Sequence, residues 1–351
     1  MNGYQRITAA LNGQFPDRVP VMLHNFMMAA RRAGYTMRQF RSDPEAVARS
    51  FIRAVEEFDY DGILLDIDTA TLAGAVGVPL DFPEDLPARV AGPRLHSLAE
   101  VGDLAPPDIR ASWQVQVWLE AARLLERQFG ETVFLRGNCD QAPFSLACLM
   151  RSTEGWLLDL TEPALEEPAH RLLDYCAQAG VQFIQAMIDI GAHMLSNGDS
   201  LAGPDMVSPR VYRQFALPYE KKLVAAAHAA GLPYALHICG KTDRILGDML
   251  STGADALELD YKTDVRLAHR LMRDRAVFIG NLDPSGVLAL GVPELIERKT
   301  RELVSVFSDT PRFILNAGCA IPADTPPANL RAMLRASRSA PGGARPTLAS
   351  P

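Results

Sequence analysis

Much is missing from this sequence, and each absence removes a class of protein. Five cysteines among 351 residues are too few for a disulfide scaffold, and the odd count points the same way. No apolar run approaches 18 residues, so no segment qualifies as a membrane span. Basic residues are in deficit, 35 Lys and Arg against 42 Asp and Glu, for a net charge of −7. No polybasic block interrupts that balance, which leaves a nucleic-acid groove without electrostatic support. The opening stretch MNGYQRITAALNGQFPDR lacks the basic region, apolar block and cleavage site of an export signal. These absences together predict a cytoplasmic protein with reduced thiols. What is present is the mixture of an ordinary globular enzyme, 48% hydrophobic and 22% charged, which excludes wholesale disorder. A length of 351 allows two domains at about 150 residues each, but an α/β barrel of this size is one.

Short β-branched or apolar runs with polar ends recur at 19–25, 62–68, 132–138, 193–199, 233–239, 256–260, 277–283 and 312–318. Helical stretches lie between them, most clearly at 113–129, 209–231 and 292–307. The last two follow Ser208 and Gly291 and carry a proline at or near the first turn, and Gly231 supplies a stop. Eight strands alternating with helices predict parallel pairing and a closed (β/α)₈ TIM barrel. Extended loops follow strands two and three. Residues 69–131 include the proline-rich PLDFPEDLPARVAGP, which predicts irregular chain, and 139–192 hold extra helices near 145–160 and 163–190. Both read as walls of the site within a single domain over 1–339, leaving 340–351, APGGARPTLASP, as a disordered tail.

Strand five ends in His237-Ile238-Cys239-Gly240. Alternate strand residues share a face, so His237 and Cys239 point the same way. Strand eight ends at Gly318-Cys319 and brings a second thiol to the same rim of a closed barrel. One imidazole and two thiolates form the ligand set of a catalytic zinc with one open position. The plain alternative is a buried histidine beside inert cysteines. Other strand ends offer His24, Arg136, Asn138, Asn281 and Asp283 as substrate-binding candidates. Arg136 suits an anionic group on the substrate, because a guanidinium binds carboxylate, sulfonate or phosphate well. Each of these residues equally fits a hydrogen-bonded layer atop the barrel.

The motifs HICG (237–240), GADALELD (253–260), IGNLDP (279–284) and GCAIP (318–322) resemble the uroporphyrinogen decarboxylase superfamily, in its zinc-dependent methyltransferase branch. The likeness runs from PDRVPV at 16–21 to GCAIPADTPPANLRAM at 318–333. It implies a (β/α)₈ barrel, Zn²⁺ held by His237, Cys239 and Cys319, and methyl transfer between a corrinoid such as methylcobalamin and a small acceptor. Asp199 lies in a GDS segment of a kind found at this place in the wider superfamily. It is a candidate catalytic residue making polar contact around the histidine. Asp260 is the other; by similarity to cobalamin-independent methionine synthase it is a candidate fourth zinc ligand. A solvated or helix-capping aspartate is the alternative there. The corrinoid-binding signature Asp-x-His-x-x-Gly is missing, since His228–Gly231 has Ala226 where the aspartate belongs. Corrinoid would then arrive on a separate partner protein. Three rival readings stay open: a porphyrinogen decarboxylase, a corrinoid-independent zinc thiol:alkyl transferase of the epoxide-opening type, and a non-catalytic metal-binding barrel. The partial arginine motif Arg31-Arg32-Ala33-Gly34-Tyr35 is what favours the first.

Overall fold

The computed structural model describes residues 1–339. The tail reading for 340–351 falls outside them. Eight parallel strands pair in chain order: β1 (Met22–Leu23), β2 (Gly62–Leu65), β3 (Phe134–Gln141), β4 (Met194–Gly198), β5 (Tyr234–Ile238), β6 (Ala256–Leu259), β7 (Val277–Leu282) and β8 (Phe313–Ala317). A parallel bridge from Val21 to Leu315 closes the ring. Parallel neighbours need long crossovers, and helices such as Pro44–Phe58, Trp113–Phe129, Glu166–Ile188 and Pro293–Val306 supply them on the outside. The chain is therefore the (β/α)₈ barrel that the alternation implied.

Strand periodicity divides the core in two. Met22, Leu64, Phe134, Met194, Ala235, Ala256, Val277, Ile279 and Ile314 pack together inside the barrel. Ile7 and Ala10, from the helix Gly3–Leu11, join this inner cluster. The alternate residues, Leu23, Ile63, Leu135, Leu195, Leu236, Leu257, Phe278 and Leu315, pack outward under the helices. Each fully buried side chain of this kind is worth about 1.5–3 kcal/mol.

Two local expectations are corrected. The proline-rich segment contains an antiparallel pair, Leu80–Asp81 with Arg89–Val90, braced by an Arg89–Asp81 ion pair at 2.7 Å. Two-residue strands leave no alternation to read. The helix expected over 209–231 is broken into Pro209–Val211, a π-helical turn Tyr212–Ala216, and Leu217–Ala229. Pro218 has no N–H to give and its ring crowds the preceding turn, which favours the wider π geometry there. Among the described residues, no helix is long and apolar enough to cross a membrane.

Candidate metal centre

Moving two residues along each strand from the inner apolar layer gives the next inward layer, and it is polar. Met22 leads to His24, Leu64 to Asp66, Phe134 to Arg136, Met194 to Ser196, Ala235 to His237, Ala256 to Glu258 and Ile314 to Asn316. All seven are buried. Buried polar groups must find partners, and the network they form sets the geometry above them.

His237 Nδ1 donates to the Glu258 carbonyl at 3.0 Å. That bond leaves Nε2 facing Cys239 Sγ at 3.1 Å. Cys239 Sγ lies 3.7 Å from Cys319 Sγ, and all three ligand atoms fall within 4.8 Å of one another. Tetrahedral zinc with Zn–S bonds of ~2.3 Å separates two sulfurs by about 3.8 Å, so the donor set fits such an ion. A disulfide needs about 2.05 Å, and both cysteines are free. Glycines permit the approach. Gly240 has φ +83°, and a Cβ there would lie 2.3 Å from Asp205 Oδ2. A Cβ on Gly318 would meet the Tyr261 amide nitrogen at 2.5 Å.

Charge concentrates at this point. Burial by itself favours neutral His237, but the adjoining Cys239 thiolate outweighs it and raises the imidazole to about 9. The two sulfurs divide one proton: Cys319 hydrogen-bonds to Cys239, holding Cys239 far below the usual thiol range and pushing Cys319 up. By contrast, burial raises the Cys139, Cys148 and Cys176 thiols, as befits inert packing.

The remaining candidates are variously engaged. Arg136 donates from Nη2 to Glu258 Oε2 at 2.8 Å and from Nε to Ser196 Oγ at 2.8 Å, deep in the wall. His24 Nε2 meets Asp66 Oδ2 at 2.6 Å, and Asn138 Nδ2 reaches Asp66 Oδ1 at 3.3 Å. Asp260 accepts the Gly240 and Lys262 amides at 3.0 and 2.9 Å and lies outside the three-residue cluster. Asn281 Nδ2 donates to the Asp260 carbonyl at 3.1 Å. Asp283 caps the turn Pro284–Ala289, accepting the Ser285 and Gly286 amides at 2.9 Å. Asp199 accepts the Ser145 amide at 2.7 Å, its own amide bonds the His237 carbonyl at 2.8 Å, and burial raises its carboxyl to about 6. Asp66, Ser196 and Asn316 were not among the sequence candidates. Their signal was available: each stands two positions beyond an inward apolar residue.

A family model described as uroporphyrinogen decarboxylase (URO-D) matches residues 2–340. The chain belongs to the uroporphyrinogen decarboxylase family. Within it, the sequence is 33% identical over 221 residues to a methylcobamide:CoM methyltransferase, MtbA, of Methanosarcina mazei, spanning 63% of this chain and 62% of that protein. A methylcobamide:CoM methyltransferase, MtaA, of Methanosarcina barkeri is 26% identical across 94% of this chain and 96% of its own. A uroporphyrinogen decarboxylase of Syntrophotalea carbinolica is 29% identical across 91% and 93%. The solved structure of a methyltransferase from Methanosarcina mazei superposes with a TM-score of 0.86 at 24% identity, covering 96% of this chain and 98% of that one. That likeness shows the fold. The resemblance to the methyltransferase branch read from HICG and GCAIP is borne out by these relatives.

Proposed function

We propose that this chain is a zinc-dependent methyltransferase, moving a methyl group between a corrinoid on a separate protein and a thiol or comparable small acceptor. The observation that carries the reading is the convergence of His237 Nε2, Cys239 Sγ and Cys319 Sγ within 4.8 Å. Three protein ligands leave a fourth position for the acceptor. Zinc held there would strip the proton from an incoming thiol and supply a thiolate at neutral pH. The chain's own contribution is placement. Two rigid strand ends and the Asp260–Gly240 bond fix the ligands, and so the line along which a methyl carbon must approach.

The carrier argument has structural support. Neither His-x-x-Gly has the aspartate two residues earlier, with Ala226 before His228 and Ala235 before His237; His228 spends Nε2 on Asp255 at 2.8 Å, and Asp255 stands just before β6. That is the face where strands begin, opposite the cysteines. Decarboxylation fares worse. Arg31 bonds Asp324, Arg32 bonds Glu57 at 2.9 Å, and Arg41 bonds the carbonyls of Pro83 and Leu86. Of these only Arg41 is buried and spent on backbone carbonyls; Arg31 and Arg32 hold exposed surface pairs.

The test is anoxic incubation of zinc-loaded protein with methylcobalamin and a panel of thiols, including coenzyme M and homocysteine. Consumption of methylcobalamin with formation of the S-methyl product is expected, and the purified chain should carry no tightly bound cobalamin of its own. Metal-independent loss of carboxyl groups from a porphyrinogen, with no transfer to any acceptor, would overturn the reading.

A further inference from the structure

The proposed reaction gives Glu258 no task, yet the barrel buries its carboxylate almost completely. Stability is a poor explanation. A buried Arg–Glu pair costs several kcal/mol of desolvation per ion, and apolar residues of similar volume often do as well. The carboxylate is held with unusual firmness. Arg136 Nη2 donates to Oε2 at 2.8 Å and Asn316 Nδ2 donates to Oε1 at 2.7 Å, fixing it from β3 and β8 at once. The same residue touches His237 from two directions. Its carbonyl takes the Nδ1 proton at 3.0 Å, and its Oε2 stands 3.7 Å from the same nitrogen.

We propose that Glu258 is the positioning residue of the metal site: its carboxylate, clamped by Arg136 and Asn316, sets a fixed negative charge behind His237 while its carbonyl holds the ring with Nε2 turned outward. The inference rests on reading His237, Cys239 and Cys319 as metal ligands. Partners of this kind orient ligating histidines and raise their basicity, and losing one weakens metal binding about 10–100-fold. Arg136 then has a defined duty as well: it keeps Glu258 ionised and still, instead of meeting substrate.

The experiment is competition of zinc against a chelator for the wild-type chain, Glu258→Gln, and the paired variant Arg136→Met with Glu258→Gln. The pair removes both charges, so no guanidinium is left uncompensated. Both variants should bind zinc about 10–100-fold more weakly, and the proton on His237 Nδ1 should move upfield in the NMR spectrum. Cobalt-loaded variants should keep tetrahedral visible bands, because the three ligands are intact. A folded paired variant that binds zinc within about threefold of wild type overturns the proposal. Loss of the fold in both variants overturns it equally, since Glu258 would then serve stability. A wild-type chain that binds no zinc refutes the metal reading itself, and Glu258 falls with it.

Discussion

Asp260 and Gly240 are tied across neighbouring strands, the Gly240 amide donating to Asp260 Oδ2 at 3.0 Å. With Lys262 N on the other oxygen at 2.9 Å, the carboxylate clamps the turn that follows Cys239. Asp260→Ala leaves both amides without their acceptor, and the expected loss is about 1–3 kcal/mol of unfolding free energy. Asp260→Asn keeps one acceptor oxygen and should recover part of it. Urea unfolding of the three proteins checks the order; equal midpoints would show that the clamp carries no load.

Purified protein should contain about one zinc per chain, given a single three-ligand cluster among the described residues. His237→Ala and Cys319→Ala should each lose it, as measured by elemental analysis. The barrel should survive both changes by circular dichroism, because the ligands sit above the apolar layer that fills it. Full metal retention in both variants would sink the site.

A thiol acceptor should bind the metal directly. An ordinary thiol titrates near about 8.5, so binding at neutral pH should release about one proton per zinc. X-ray absorption should count a third sulfur beside Cys239 and Cys319. If every thiol leaves proton release and sulfur count unchanged, thiol activation is wrong, and a folate-type acceptor or the demethylating direction becomes the better reading.

Stability should fall as pH rises from 5 to 7.5. Burial lifts the Asp68 carboxyl to about 6, with the neighbouring Asp66 charge adding to the lift against hydrogen bonds from Ala70 and Thr71. Its folded value lies above the unfolded one, so its contribution is fully present below pH about 4 and lost as pH climbs through about 6. Asp68→Asn should reduce this slope, leaving the share that buried Asp199 contributes, and stabilise the protein at pH 7.5 by on the order of 2–3 kcal/mol. Glu258, which Arg136 and His237 hold down at about 2 against burial, stays ionised between pH 5 and 7.5 and adds nothing to this slope. Denaturant titrations at the two pH values decide the matter; an unchanged slope in the variant would exonerate Asp68.

The barrel was legible because its signal is local: eight apolar runs, each closed by polar residues, repeat the same pattern. Their ends were less so. The run at 19–25 was read through to His24 and Asn25, whereas the β1 ladder is only Met22–Leu23. Composition marks an apolar run, but hydrogen-bond pairing decides where a strand stops. The three residues of the metal cluster were nominated from a two-residue spacing plus a rim position supplied by the fold. What spacing could not supply was partnership. Arg136 and Glu258 are 122 positions apart, and nothing near either one announces the other. Arg136 therefore looked like a substrate-binding group, when its place in the wall gives it a protein partner. Asp283 looked the same, and its local Pro-Ser-Gly sequence was the hint that it caps a turn.

The ring of strands is not equally knit all round. β7 and β8 are joined through five paired residues, whereas β8 meets β1 through the single Val21–Leu315 bridge. A metal held by Cys319 with His237 and Cys239 would cross-link the far side of β8 to β5, making strands five to eight one stapled panel. The thin seam lies just outside that panel, beside His24. Two further bonds hold the seam at the mouth, Asn316 Oδ1 accepting the His24 amide at 3.1 Å and the His24 carbonyl accepting the Ile321 amide at 2.7 Å. A metal on these ligands would add a tie between β5 and β8, two strands that the backbone ladder does not join.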